Sequence, residues 1–215
     1  MGKLIVLEGI DGSGKSTQLE LLKANLSDMG VAFRYLSFPR YDNESSLFVR
    51  RYLRGEMGFD PDAVNAYAAS TFFAMDRYFS YQQDWGDFYN HGGVVITDRY
   101  TTSNAIHQAA KLAETERPAY WDWLYDYEFA KLALPKPDAV ILLDISVEAA
   151  LLRIFKRAES GAARDIHERD SEYLARCAET ARDAAAHFEW SVIAADRDAE
   201  TVQRDIAQLA RWEVE

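Results

Sequence analysis

The sequence has little cysteine, no long apolar runs and few positive charges. The first two features indicate the cellular compartment of the protein. Cys177 is the one cysteine, so no disulfide can form within the chain, which favours a reducing compartment. The apolar run at residues 4–7 is too short for a signal peptide or a membrane span. We therefore expect a cytoplasmic protein with no membrane partner.

The shortage of positive charge bears on the partners. Lys and Arg number 24 against 35 Asp and Glu, which gives a formal net charge of -11. Affinity for nucleic acid comes mainly from neutralised phosphates, so we expect no nucleic-acid partner. A site for small phosphates would have to gather its Arg and Lys locally.

The pattern along the chain indicates one α/β domain. A chain of 215 residues that is 48% hydrophobic suits a single domain spanning residues 1–215. The candidate strands are residues 4–7, 31–37, 94–97, 139–143 and 191–194. The candidate helices are residues 16–29, 62–85, 103–112, 121–134, 147–159, 168–188 and 199–212. This alternation of continuous apolar runs and helices predicts a parallel sheet of about five strands with helices on both faces.

A glycine-rich segment at residues 9–16 carries the strongest functional signal. It reads Gly-Ile-Asp-Gly-Ser-Gly-Lys-Ser, fits the pattern G-x-x-x-x-G-K-[ST], follows a candidate strand and opens a candidate helix. Such a loop cradles phosphates with backbone N–H groups, while Lys15 reaches the β- and γ-phosphates and the Ser16 hydroxyl ligates Mg²⁺. The predicted ATP-binding residues here are Gly9, Asp11, Gly12, Ser13, Gly14, Lys15, Ser16 and Thr17. The motif does not separate a kinase from a GTPase, an ATPase or a passive switch.

Two charged residues follow the candidate strand at residues 94–97. Ligands of open α/β sheets bind at the carboxyl ends of strands, where Asp98 could hold Mg²⁺ directly or through water. Arg99 offers a planar fork for a phosphate. The alternative is a structural ion pair between Asp98 and Arg99.

Phe73 and Arg77 are four residues apart and share one face if their segment is helical. An aromatic ring to stack on a base and an Arg to bind its carbonyl edge make a plausible base pocket. The alternative is a core phenylalanine beside a surface arginine.

Several segments, in order along nearly the whole chain, resemble the thymidylate kinase family of P-loop nucleoside monophosphate kinases. They are residues 7–18, 38–41, 73–77, 98–103, 134–138, 143–144 and a basic stretch at 153–176. The resemblance implies a P-loop kinase fold with a short mobile lid at about residues 153–170. It implies transfer of the γ-phosphate of ATP to dTMP, with Mg²⁺, for dTTP synthesis, and a homodimer. The alternatives are a kinase for another nucleotide or nucleoside, such as dUMP or thymidine, and a nucleotide-binding regulatory protein without transfer activity.

The resemblance also implies roles for residues on the acceptor side. Arg99 would grip the dTMP phosphate, Phe73 would stack on thymine and Arg77 would reach its O4. Asp11 would contact the 3′-hydroxyl of the acceptor sugar. The other dTMP-binding residues it implies are Phe38, Arg40, Tyr41, Leu53, Ser103, Asn104 and His107. His107 departs from the Tyr or Phe that the family often has near the sugar.

A basic residue that stabilises the transferring phosphoryl group is also implied. The family places it in the phosphate loop or in the lid, and Gly12 is uncharged, so the lid is expected to supply Arg164 or Arg157. Arg157 could instead cover the adenine of ATP. The alternative is a solvated helix face balanced by acidic residues. The predicted catalytic residues are Lys15, Arg99, Arg157 and Arg164.

Overall fold

The computed structural model describes residues 1–159 and 171–210, except for the side chains of residues 157–159. Its strands are β1 (Lys3–Glu8), β2 (Phe33–Ser37), β3 (Val94–Asp98), β4 (Ala139–Asp144) and β5 (Ser191–Ala194). Its α-helices are α1 (Lys15–Asp28), α2 (Leu47–Leu53), α3 (Ala66–Ser80), α4 (Gly86–Asn90), α5 (Thr101–His107), α6 (Arg117–Tyr125), α7 (Val147–Glu159), α8 (Ser171–His187) and α9 (Ala199–Ala210). Short 3₁₀ turns cover Glu44–Ser46, Pro61–Ala63, Ala109–Lys111 and Glu114–Glu116, and π-helical turns cover Tyr81–Trp85 and Asp126–Lys131.

The strands form one parallel sheet, as predicted. In the described part of the chain it has five strands in the order β2-β3-β1-β4-β5. Leu7 on the central strand lies opposite Asp98 on one side and Ile141 on the other. The carboxyl ends of β1 and β3 therefore meet at one edge, where open α/β sheets bind their ligands.

The central strand β1 explains why both faces of the sheet need helices. Ile5 and Leu7 pack with Leu22 of α1 and Ile206 of α9 on one face. Leu4 and Val6, which alternate with them, pack on the other face with a cluster that includes Trp85 and Tyr89. Burying one such aliphatic side chain stabilises the fold by about 1.5–3 kcal/mol, so the continuous apolar run is matched by helices on both sides.

The helix predicted over residues 62–85 is wrong at its start. Val64 is extended, and the Asn65 side chain accepts a hydrogen bond from the Ala68 backbone N–H, so α3 begins at Ala66. A local cap therefore overrides the apolar periodicity of the preceding residues. At the other end α3 passes through a π-helical turn into α4. In residues 1–159 and 171–210, no helix has both the length and the apolar character that crossing a membrane requires.

The aromatic segment in α6 packs against the helices that line the candidate site. The Tyr120 hydroxyl lies 2.7 Å from Ser70 Oγ and donates to the Asn104 carbonyl oxygen over 3.2 Å. The Trp121 indole N–H donates to the Ala105 carbonyl oxygen over 2.9 Å. These contacts join α6 to α3 and α5, and all three helices are thereby held in fixed relation.

Candidate active site

The phosphate loop joins β1 to α1. Gly14 is the N-cap residue of α1 in the left-handed conformation, and among the described residues no side chain caps this helix. Its first N–H groups are therefore available to an anion, and the helix dipole favours one. Lys15 Nζ donates to the carbonyl oxygens of Gly9, over 2.8 Å, and Ile10, over 3.1 Å, so the lysine folds back over its own loop.

Lys15 lies in a buried and strongly charged environment. Burial, followed by the nearby charge of Arg99, lowers its pKa, while the carboxylates of Asp98 and Asp11 act in the opposite direction. An anion placed beside Lys15 and Arg99 would relieve the repulsion between these two cations. The loop therefore favours a bound phosphate on electrostatic grounds as well as by its backbone geometry.

The back of the loop rests on α7. Gly12 has a φ of 81°, and a Cβ there would lie 2.5 Å from the Ala150 carbonyl oxygen, so glycine alone fits without movement of α7. Arg153 of α7 donates to the carbonyl oxygens of Gly12 and Ser13, each over 3.2 Å. Arg153, which the sequence grouped with the lid, thus braces the phosphate loop.

Of the other basic residues in the predicted lid, only Lys156 has a described side chain. Lys156 is exposed on α7. Arg157 belongs to α7, but its side chain falls outside the described residues, as do Arg164 and Arg169 altogether. The assignment of a lid arginine to the transferring phosphoryl group therefore stays a prediction.

A cleft on the outer side of the loop accounts for part of the predicted ATP-binding set. Its lining includes Ser13, Gly14, Thr17, Arg153, Arg197 and Val202. Asp11 is absent from this lining and lines a cavity on the opposite side of the loop, so its contact with ATP stays a prediction.

A central cavity opens on that opposite side. It is lined by Asp11, Phe38, Pro39, Tyr41, Leu53, Phe73, Arg77, Arg99, Ser103, Asn104, His107 and Gln108. Every predicted acceptor residue except Arg40 is in this lining. The structure therefore brings together side chains from the phosphate loop, α2, α3, α5 and the segments after β2 and β3.

Arg40 is absent from this lining and lies beside the cavity, so its contact with the acceptor stays a prediction. Its Nη1 donates to Ser80 Oγ over 3.0 Å, and its Nη2 lies 3.3 Å from a carboxylate oxygen of Asp84. Its backbone N–H donates to Asp76 over 2.8 Å. Three groups near the end of α3 thus hold Arg40, and it lines a neighbouring surface depression with Ser37 and Asn43.

Arg99 lines the central cavity and is held there by two contacts. Its Nη2 donates to Asp11 Oδ1 over 2.6 Å, and its Nη1 lies 2.8 Å from His107 Nε2. The backbone of Arg99 has a φ of 66°, an uncommon conformation for a residue with a side chain and one that clusters at functional sites. The partner of Arg99 is Asp11, and not the neighbouring Asp98 that the sequence offered as the alternative.

Arg99 keeps its positive charge in this setting. Burial alone would lower its pKa, but the carboxylates of Asp11, Asp98 and Glu8 raise the pKa above its usual value. A charged guanidinium whose position is fixed from two sides has donors left over for a phosphate.

His107 has a defined tautomer because of Arg99. A guanidinium can only donate, so His107 Nε2 accepts, and the ring proton sits on Nδ1. Nδ1 lies 3.4 Å from the sulfur of Cys177 on α8, and the Tyr173 hydroxyl donates to the His107 carbonyl oxygen. Two residues of α8 therefore support His107, Cys177 at its ring and Tyr173 at its backbone.

Asp98 and Ser16 carry oxygen atoms that could ligate a metal ion. Asp98 Oδ1 is buried, and no residue in the described ranges gives it a hydrogen bond. Ser16 is exposed at the start of α1. Mg²⁺ prefers oxygen ligands, and it is commonly held by one or two protein groups together with substrate phosphates.

Two buried glutamates in the site were missed by the sequence reasoning. Glu8 at the end of β1 accepts from Thr102 Oγ1 over 2.6 Å and Ser103 Oγ over 2.8 Å. Burial raises its pKa, opposed by the charge of Arg99 and by these hydrogen bonds. Glu8 thereby joins the start of α5 to the sheet, and an acidic residue that ends a buried strand was the available signal.

The second missed residue is Glu128, which lies in the π-helical turn after α6. It accepts from Arg77 Nε over 2.7 Å and from Arg77 Nη2 over 2.5 Å, and both side chains are buried. Burial alone would lower the pKa of Arg77, but the charge and hydrogen bonds of Glu128 raise it, so the guanidinium stays charged. Arg77 is therefore not the surface residue that the alternative interpretation offered.

Comparison with known proteins gives one consistent family. The family model described as Thymidylate kinase matches residues 7–206. The chain is 38% identical over 201 residues to a thymidylate kinase of Mycobacterium tuberculosis, covering 91% of this chain and 92% of that protein. It is 31% identical to the thymidylate kinase of Caenorhabditis elegans, covering 97% and 89%. It is 36% identical to a probable thymidylate kinase of Pyrococcus horikoshii, covering 71% and 70%.

Proposed function

The chain belongs to the thymidylate kinase family, and we infer that it transfers the γ-phosphate of ATP to dTMP, giving dTDP and ADP. The observation that carries this function is the central cavity, because it meets the phosphate loop at a fixed and charged arginine. Arg99 lines this cavity together with the acceptor residues, and it is near enough to Lys15 for its charge to lower the pKa of Lys15. An acceptor phosphate bound there would face the γ-phosphate of a donor held by the loop.

The proposed pose of dTMP follows the lining of the cavity. Thymine lies against Phe73 with its carbonyl edge toward Arg77, and the phosphate lies at Arg99. The 3′-hydroxyl lies at Asp11, and His107 is near the sugar. Phe38, Tyr41, Leu53, Ser103 and Asn104 complete the proposed acceptor site. The combination of apolar walls with polar side chains fixed by hydrogen bonds supports a site that binds one nucleotide selectively.

The proposed transfer needs no covalent enzyme intermediate. A phosphate oxygen of dTMP attacks the γ-phosphorus of ATP in line, the bond to the β–γ bridging oxygen breaks, and ADP leaves with that oxygen. Lys15 and the N–H groups of the loop hold the donor phosphates, while Arg99 neutralises the attacking phosphate. We assign Arg164 or Arg157 to the charge that develops on the moving group. Closure of the lid over both nucleotides would exclude water and so suppress hydrolysis of ATP.

We propose Mg²⁺ as the metal that accompanies ATP. Ser16 and Asp98 are the residues that would hold it, and the unpartnered Oδ1 of Asp98 in the described structure supports the assignment. When bound, the ion supplies positive charge to the donor phosphates.

We propose that the chain acts as a single domain and assembles as a homodimer in the cytoplasm. Apolar side chains exposed on α2 and α3 support an interface between two copies: Leu47, Phe48, Tyr67 and Phe79 are each more than two-fifths exposed. Light scattering after gel filtration should give a dimer mass that Phe48→Glu lowers. A monomer mass for the native chain would remove the homodimer from the proposal.

A substrate panel tests the reaction itself. ADP release from Mg²⁺–ATP would be measured with dTMP, dUMP, dCMP, dGMP, UMP, AMP and thymidine as acceptors. We expect kcat/KM to be highest for dTMP. Preference for another acceptor would keep the kinase chemistry and overturn the base assignment, while ATP binding without any transfer would favour a regulatory protein.

A further inference from the structure

The carboxylate of Glu128 lies behind the base pocket and contacts two of the residues that line it. Glu128 is fully buried in the π-helical turn Asp126–Lys131. Single π-helical turns are frequent at functional sites. Here the turn carries Glu128 to side chains of both α3 and α5.

The hydrogen bonds of Glu128 are saturated. Oε2 accepts from Arg77 Nε and from Thr101 Oγ1, each over 2.7 Å. Oε1 accepts from Arg77 Nη2 over 2.5 Å and from Asn104 Nδ2 over 3.3 Å. An ionised carboxylate accepts about four hydrogen bonds and donates none. Every group that faces Glu128 is therefore obliged to donate.

Because the carboxylate of Glu128 can only accept hydrogen bonds, it fixes the orientation of the Asn104 amide. Nδ2 donates to Glu128 and, over 3.3 Å, to the Ser70 carbonyl oxygen. Both partners can only accept, so an exchange of the amide oxygen and nitrogen would lose both hydrogen bonds. Oδ1 has no hydrogen bond within residues 1–159 and 171–210 and is not shut off from solvent. Since Asn104 lines the central cavity, its amide presents an acceptor there.

The same carboxylate fixes what Arg77 presents. Nε and Nη2 are turned to Glu128, which leaves the two N–H groups of Nη1 for the cavity. The pocket therefore offers a donor at Arg77 and an acceptor at Asn104. Thymine and uracil carry the complementary pair, a carbonyl acceptor at position 4 beside an N–H donor at position 3. Cytosine carries the reverse pair, an amino donor beside an unprotonated nitrogen.

We propose that Glu128 is a positioning residue that sets the donor and acceptor polarity of the base pocket and thereby rejects cytosine nucleotides. The proposal rests on the proposed function, in which the base lies between Phe73 and Arg77. Glu128 has no place in the lining of the cavity, so it acts through Arg77 and Asn104.

Glu128→Gln is the sharpest perturbation because it keeps the shape and introduces an NH₂ group. If that group takes the place of Oε1, it faces Arg77 Nη2 and Asn104 Nδ2, so Arg77 loses one acceptor. The Asn104 amide can accept from it by turning, with the loss of its hydrogen bond to the Ser70 carbonyl oxygen. The cavity then receives an N–H donor where it had an acceptor, as cytosine requires. If the NH₂ group takes the place of Oε2, Arg77 loses the partner of its Nε. Either orientation weakens recognition of thymine, and the first also improves recognition of cytosine.

The measurement is kcat/KM for dTMP and for dCMP at saturating Mg²⁺–ATP. We define the selectivity ratio as kcat/KM for dTMP divided by kcat/KM for dCMP. We expect Glu128→Gln to lower this ratio at least tenfold, mainly through KM for the acceptor, with KM for ATP unchanged. Glu128→Asp keeps a carboxylate that can only accept hydrogen bonds, but on a side chain one methylene shorter. It should therefore raise KM for dTMP yet keep most of the preference for dTMP over dCMP. Asp183→Asn removes the ion pair that joins Asp183 to Arg117 and is the matched control, which should keep the native ratio.

The outcomes separate this proposal from the reaction on which it rests. A native enzyme without preference for dTMP would overturn the proposed function. A native preference that survives in Glu128→Gln would overturn the role of Glu128 alone. If Glu128→Gln does not fold, Glu128→Asp decides, because a loss of the dTMP to dCMP ratio there would show that shape and not polarity controls selection.

Discussion

Replacing His107 with phenylalanine tests whether Arg99 must be held from two sides. His107 Nε2 accepts from Arg99 Nη1 over 2.8 Å, and phenylalanine keeps a ring there but has no acceptor. A hydrogen bond to a charged group contributes about 1.5–3 kcal/mol. The Arg99 side chain is 17% exposed, so water replaces part of this contact and the lower end of the range applies. A loss of about 1.4 kcal/mol corresponds to roughly a tenfold fall in kcat/KM.

The assay is initial-rate kinetics with dTMP at saturating Mg²⁺–ATP. We expect KM for dTMP to carry most of the fall, since Arg99 is assigned to the acceptor phosphate, and KM for ATP to stay constant. His107→Gln keeps an acceptor oxygen and should recover much of the loss. Native kinetics in the phenylalanine variant, or equal losses in both variants, would refute the role of this hydrogen bond.

Three further predictions concern the donor site and pH. Lys15→Ala should lower kcat by about 10²–10³ with an unchanged circular dichroism spectrum, because it removes a positioned cation from the transferring charge; near-native turnover would contradict this. EDTA should abolish turnover, and Asp98→Asn should raise the Mg²⁺ concentration needed for half-maximal rate; an unchanged requirement would remove Asp98 from the metal site. Burial lowers the pKa of Lys111 from 10.5 to about 8. Between these values the unfolded chain binds more protons, so this group's contribution to native stability rises with pH, by up to about 3 kcal/mol. Lys111→Met should flatten that rise in urea melts at pH 8 and pH 10, and an unaltered slope would refute the assignment.

Local patterns in the sequence were enough to predict the parts of the site that lie within one element. The phosphate loop is contiguous, and its glycines and lysine follow from the demands of a phosphate on the backbone. Phe73 and Arg77 are one helical turn apart, which left a base pocket and a core phenylalanine beside a surface arginine open. The family resemblance favoured the pocket, and the structure places both residues at the cavity. The parallel sheet followed from the continuous apolar runs, since only strands covered on both faces can be apolar throughout.

Contacts between distant segments could not be predicted in this way. Glu128 lies 51 residues from Arg77 in the sequence. The periodicity of the aromatic segment around Glu128 does not predict that its carboxylate is buried. Cys177 lies 70 residues from His107, and nothing in the sequence around either residue predicts their contact. The family resemblance placed Arg40 in the acceptor site, but it did not predict that groups near the end of α3 hold the Arg40 side chain. In each case the partner is set by the packing of helices against the sheet.

The contact between Gly12 and Ala150 limits how this enzyme can change over evolutionary time. A single base change in the codon can replace glycine by arginine, but the new side chain would begin 2.5 Å from a helix carbonyl oxygen. The φ of 81° disfavours any side chain there as well. A lineage that starts from this backbone would need to shift α7 before a charge in the loop became useful. If the lid supplies the catalytic arginine, as proposed, a charge at Gly12 could not replace it in one step, because the backbone would have to change first.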